Sequence, residues 1–116
     1  MADDIRRIYS ILKYCDDIEE TINRFGEDEE DFTDDNAYQY TCSFCVAQIG
    51  EAIKSLSPEL RERYPEVRWK GFSGMRDIIT HGYERINLRI VWLTITEDIP
   101  ELKRICKNIL NELNPS

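Results

Sequence analysis

An all-α bundle of four main helices, with short helical turns between them, is the architecture this sequence predicts. Three observations carry that expectation. Apolar side chains recur at spacings of three and four over four long stretches. Capping acids and amides, first-turn prolines and terminal glycines separate those stretches. Only Arg89–Thr96 is β-branched enough to compete as a strand, and with no second strand to pair with it, its backbone groups would be left unsatisfied. Residues 1–116 therefore read as one domain, long enough to bury roughly 60–70% of the unfolded surface.

Asp3 or Asp4 is placed to cap a first helix over about Asp4–Phe25. Ile5, Ile8, Leu12, Cys15 and Ile22 form its apolar stripe and leave Arg6, Lys13, Asp16 and Glu20 outside. Gly26 is a natural stop, because glycine accepts the left-handed conformation after a helix end. Glu27–Asp35 is an acidic connector anchored by Phe32, with room for a turn of helix and without the glycine-centred ligand spacing of a calcium loop. Asp35 or Asn36 caps a second long helix reaching about Ser55. Its stripe includes Ala37, Tyr40, Phe44, Ile49 and Ile53 and is wide enough to meet two neighbours. Gly50 within it costs about 1 kcal/mol relative to alanine, which points to close approach of another helix or of a second copy. Ser57-Pro58-Glu59 starts a short helix that Pro65 ends.

Val67, Trp69 and Phe72 anchor an irregular or singly turned segment, followed by a helix that buries Met75, Ile78 and Ile79 and ends at Gly82. Asn87 caps a further helix. Asp98-Ile99-Pro100-Glu101 reads as a capping box opening the last one, whose stripe runs from Leu102 to Leu113.

The net charge of −8 argues against nucleic-acid binding by overall attraction, and no DNA partner is expected. The charge is unevenly spread. Residues 61–89 carry seven Lys/Arg against four acids, the only net-positive segment, and it surrounds the single histidine. A local anion site on an acidic body is the reading that follows. No uncharged run is long enough to span a bilayer. Four cysteines without a secretory segment predict a reducing, cytoplasmic setting. Cys42 and Cys45 form a C-x-x-C pair inside an apolar helix pattern, so buried thiols are expected there in place of a zinc site. Neither metal nor cofactor is expected.

The segment Gly71-Phe72-Ser73-Gly74-Met75-Arg76-Asp77-Ile78-Ile79-Thr80-His81-Gly82-Tyr83 carries the chemistry. Histidine exchanges protons near neutrality, and arginine is the charged fork that matches a phosphate. Arg76 and His81 can thus act as a phosphodiester-cleaving pair, with Tyr83 beside them and Asp77, Lys70 and Arg85 as supporting or phosphate-binding groups. Five residues of ideal helix put Arg76 and His81 about 7.5 Å and about 140° apart. A break near Gly82 that turns His81 inward, or a second copy across a two-fold axis, would bring them together. Two copies of His81 also supply base and acid in one turnover, which a single imidazole cannot. Spacing alone leaves the bland readings open: a surface histidine, ordinary helix charges and a packing tyrosine.

Arg76-x4-His81-x-Tyr83 resembles the signature of HepT-like HEPN ribonucleases, the toxin halves of toxin–antitoxin pairs. Ile49-Gly50-Glu51-Ala52, Tyr64-Pro65-Glu66-Val67, Trp69, Trp92 and Ile99-Pro100-Glu101-Leu102 also stand where that family has similar residues. The resemblance implies a homodimeric HEPN-like bundle with its cleft at the interface, and metal-independent endoribonuclease cleavage of RNA by Arg76 and His81. It further implies an MntA-like nucleotidyltransferase antitoxin that adds AMP to Tyr83. A non-catalytic HEPN module serving such a nucleotidyltransferase as scaffold or substrate is the alternative. The acidic connector Glu27–Asp35 is the one departure from the family pattern.

Overall fold

The computed structural model describes residues 2–115. All of the regular structure among them is helical: α1 (Ala2–Phe25), α2 (Glu29–Thr33), α3 (Asn36–Lys54), α4 (Pro58–Arg63), α5 (Trp69–Gly82), α6 (Leu88–Leu93) and α7 (Ile99–Leu113). The four long helices are α1, α3, α5 and α7, and the fold is the all-α HEPN-like bundle expected. Helix α3 is central, packing on α1 along one side and on α5 along the other, while α7 closes against α1.

Local chemistry accounts for most boundaries. Gly26 has φ +130°, and a Cβ there would fall 2.2 Å from Asp31 Oδ2, so glycine is required twice over. Asp35 accepts from the Ala37 and Tyr38 N–H groups, Ser57 from Leu60, and Asn87 from Arg89 and Ile90. Phe32 is fully buried, its ring 5.1 Å from Tyr38 and 5.5 Å from Trp92, which pins the acidic connector to the core.

Several expectations are corrected. Asp4 does not cap α1; it is buried and accepts from the backbone N–H (2.8 Å) and hydroxyl (2.6 Å) of Ser57, tying α1 to the start of α4. The stripe of α1 centres on Ile8, Ile11, Cys15 and Ile18, with Ile5, Leu12 and Ile22 at its edges. On α3 the buried side chains include Tyr38, Cys42, Val46 and Ile49, whereas Tyr40 and Phe44 face solvent. The segment from Trp69 is helical from its first residue. The indole N–H donates to the Tyr64 and Arg61 carbonyls, and burial of Trp69 and Phe72 outweighs the low helix propensity of Gly71 and Gly74. Ile78 is 51% exposed, not buried.

Asp98 makes no cap. A π-turn over Thr94–Asp98 carries the chain from α6 into α7 without a break. Pro100 has no N–H to offer the preceding turn, and the Thr94 and Thr96 hydroxyls donate to the Ile90 and Trp92 carbonyls. The ladder adjusts to i→i+5 and continues.

Candidate active site

Helices α3 and α5 run antiparallel, with Tyr40 near the start of α3 meeting Tyr83 just after α5 and Gly50 facing the Phe72–Arg76 turn. A Cβ on Gly50 would lie 2.5 Å from Arg76 Cβ and 2.6 Å from the Phe72 carbonyl oxygen. The close approach expected at Gly50 is therefore made within the chain, and it sets Arg76 into the α3–α5 seam.

Arg76 is the less exposed of the two motif charges that pair, its side chain 27% exposed against 50% for Asp77. Its Nε lies 2.9 Å from Glu51 Oε2, and its Nη1 donates to Asp77 Oδ1 at 3.2 Å. Lys54 Nζ also donates to Asp77 Oδ1. Hydrogen bonds from Lys54 first, and then Arg76, hold the Asp77 carboxyl below its ordinary range. The result is a compact group of two cations and two anions, with the guanidinium fixed and its partners at the surface.

His81 lies elsewhere. Helix α5 breaks at Gly82, which has φ −154° and ψ 40°, but the break does not turn the imidazole inward, and His81 is exposed. It shares an outer face of α5 with Lys70, Gly74 and Ile78, by their spacing of four, four and three. Arg76 and His81 stay about 140° apart around the axis. Lys70 is exposed, three turns from His81, and Arg85 is exposed in the 3₁₀ turn Tyr83–Arg85. The Tyr83 ring packs against Tyr40, centroids 5.6 Å apart, and its hydroxyl is buried without a hydrogen-bond partner among the described residues. Of the six residues singled out, the fold gathers Arg76 with Asp77, sets Tyr83 at the other end of the seam, and keeps His81, Lys70 and Arg85 in solvent.

Glu51, Lys54 and Tyr40 complete this surface and are not legible from the motif. The signal for Glu51 was adjacent: it follows the glycine that demanded a close neighbour, with Lys54 three residues on. Among the described residues no three His, Cys, Asp or Glu side chains converge as metal ligands would. Burial pushes the Cys15 and Cys42 thiols up to about 12 and Cys45 up to about 11. All four cysteines are free and buried, as the C-x-x-C reading expected. A cleft of about 340 Å³ lined in part by Val67, Phe72, Met75, Thr94 and Leu102 contains none of Arg76, His81 or Tyr83.

The chain belongs to the HepT-like ribonuclease family: the family model described as Ribonuclease HepT-like matches residues 11–109. Its enzymatic class is therefore that of a ribonuclease, acting on RNA. Among its relatives, "Putative RNase MJ0125" of Methanocaldococcus jannaschii is 37% identical over 107 residues, covering 91% of this chain and 90% of that protein. "Putative RNase TTE0752" of Caldanaerobacter subterraneus subsp. tengcongensis is 39% identical over 102 residues, covering 88% and 89%. "Probable ribonuclease HepT" of Thermococcus cleftensis is 35% identical over 95 residues, covering 78% and 86%. No solved structure gives a significant match. No helix among the described residues is long and apolar enough to cross a membrane.

Proposed function

We propose that this protein is a metal-independent endoribonuclease toxin, cytoplasmic and homodimeric, in which Arg76 and His81 are catalytic. One observation carries the reading: the imidazole stands free on an outer helix face while the arginine sits fixed in the adjacent seam. A single chain presents them on different sides of α5. A two-fold axis along the Gly74–Ile78–His81 face would bring two imidazoles together and set each near a guanidinium. Gly74 suits such a seam, since, its adjacent residues and the backbone of its own helical turns aside, no heavy atom among the described residues lies within 4 Å of where its Cβ would be. Ile78 supplies exposed apolar surface beside it.

The chemistry runs on the chain's own groups. One neutral His81 removes the proton from an RNA 2′-hydroxyl, whose oxygen attacks the adjacent phosphorus. The bond from phosphorus to the 5′-oxygen breaks, and the protonated His81 of the second copy delivers a proton to that oxygen. The products are a 2′,3′-cyclic phosphate and a 5′-hydroxyl. Each positioned proton transfer contributes about 10²–10⁴ in rate. Arg76 faces the extra charge on the five-coordinate phosphorus, where a fixed guanidinium stabilises the transition state more than the ground state. Asp77 and Glu51 hold it in place, and Lys70 and Arg85 lie outside as contacts for flanking phosphates.

The natural counterpart is an MntA-like nucleotidyltransferase antitoxin that transfers AMP to Tyr83. The tyrosine oxygen would attack the α-phosphorus of ATP, releasing pyrophosphate and the phenolic proton. In the present conformation that oxygen is buried, so the ring must swing off Tyr40 before it can react. An adenylyl group there would add bulk and negative charge at the end of the seam that holds Arg76.

The test is cleavage of a labelled RNA by purified wild-type, His81→Ala and Arg76→Ala proteins in the presence of a chelator. Both variants should fold as the wild type and lose cleavage by at least about 10²-fold. Wild-type rates from His81→Ala would remove the mechanism.

A further inference from the structure

Helix α3 turns aromatic rings to solvent. Tyr40 is 58% and Phe44 57% exposed, one helical turn apart on the same side. Each meets a ring from another part of the chain. Tyr40 packs on Tyr83 with centroids 5.6 Å apart, and Phe44 meets Tyr14 of α1 at 6.2 Å, edge to face. A row of four rings thus runs from the motif tyrosine across α3 to α1. At its far end a cleft of about 510 Å³ opens, lined in part by Lys13, Tyr14, Arg24, Phe25, Thr41 and Phe44. Asp17 and Glu20 also line it, but they are ion-paired with Lys13 at 2.7 Å and Arg24 at 3.0 Å, so its charges balance. Lys13 Nζ in addition sits 4.8 Å from the centre of the Tyr14 ring.

We infer that this row is a stacking subsite for the bases of single-stranded RNA, leading the strand to the cleavage site; where the strand leads rests on the function proposed above. Charge is the first reason. A chain of net charge −8 gains little from phosphate attraction, whereas stacking of a base on an aromatic ring does not depend on net charge. The second reason is the composition of the surface. The aliphatic side chain suited to a second copy, Ile78, lies on the His81 face of α5, while the exposed large apolar groups of α3 are both aromatic. The third is continuity: Tyr83 belongs both to the row and to the motif. Paired RNA keeps its base faces inside its own helix, so the strand this surface takes is unpaired.

Fluorescence anisotropy with a short labelled 2′-O-methyl RNA, which cannot be cleaved, tests the subsite as a single strand and as a duplex. Tyr40→Leu and Phe44→Leu keep apolar bulk and remove the π-face, and both sites are exposed enough for the variants to fold. Each should weaken single-strand binding by about 5- to 150-fold. Phe44→Trp should hold or tighten it, and the duplex should bind weakly throughout. Raising salt should weaken wild-type binding only shallowly. Undiminished binding by both leucine variants overturns the inference, as does loss of binding that coincides with a change in sedimentation, which would give the face to a second copy. The two readings fail separately. Stacking-dependent binding by a wild type that cleaves no RNA sinks the nuclease mechanism and keeps the subsite. Cleavage that needs His81 but ignores Tyr40 and Phe44 does the reverse.

Discussion

In the catalytic role proposed for it, Arg76 depends on neighbours that would compete with a bound phosphate. Glu51 and Asp77 hold the guanidinium in one pose, and an incoming phosphate must share or displace them. Replacing Glu51 by glutamine should leave stability nearly unchanged, because a half-exposed ion pair is worth about 0–1 kcal/mol. The loss should appear in catalysis: kcat down by about 10- to 100-fold as the fork loses its orientation, with KM unchanged or lower. Steady-state kinetics beside a thermal melt separate the two effects. At Asp77 the pH dependence has a definite sign. Its folded carboxyl titrates below the ordinary 3.8, so its contribution is present above that value and fades as pH falls through the lower folded one. Urea midpoints measured from pH 5 downward should fall more steeply for wild type than for Asp77→Asn below about pH 4. Arg76, His81 and Tyr83 could be singled out at this scale as candidates because their chemistry is written in their side chains. Glu51 and Tyr40 were not, since a glutamate or tyrosine on an exposed helix face has no distinguishing pattern until its neighbour is known.

At the scale of elements the seam between α3 and α5 governs the site, and one glycine governs the seam. Gly50→Ala should gain about 1 kcal/mol in helix propensity yet lose about 1–3 kcal/mol to overpacking, because the contacts in its way are a backbone oxygen and an inner side-chain carbon. The expected outcome is net destabilisation with displaced Arg76, read as a lower denaturation midpoint and impaired cleavage together. Gly74→Ala offers the contrast. Beyond its adjacent residues and the backbone of its own helical turns, a Cβ there meets nothing within 4 Å among the described residues, so a single subunit should gain up to about 1 kcal/mol. Denaturation at several protein concentrations distinguishes that gain from any weakening of a dimer. Periodicity found the four long helices, but it placed Ile78 inside and misjudged the entry to α7. A stripe shows which residues are apolar and not which of them the chain itself covers, and a proline in a helical context reads as a start when a π-turn can absorb it.

For the molecule as a whole, burial of the four cysteines makes a prediction that local reading alone could not quantify. Thiols ordinarily near 9.0 are pushed to about 12 at Cys15 and Cys42 and about 11 at Cys45. The unfolded chain therefore gives up these protons before the folded one does. Their contribution to stability is whole below about pH 9 and declines as pH rises toward those folded values. Denaturation midpoints should drop over that range, and a thiol-reactive probe should label the native protein at neutral pH only as fast as it unfolds. Labelling at the rate of a free thiol would mean the core is open.

The sequence by itself determined the helical class, most helix boundaries, the acidic body with its one basic segment, and the motif with its family. Each of these is encoded in spacing or residue type along the chain. Tertiary structure alone decided that Gly50 admits Arg76, that Glu51 and Lys54 share its charge network, that His81 faces outward, and that aromatic rings from three segments form one row. Those facts depend on which helix faces meet, and the order of residues along a single helix does not specify its neighbour.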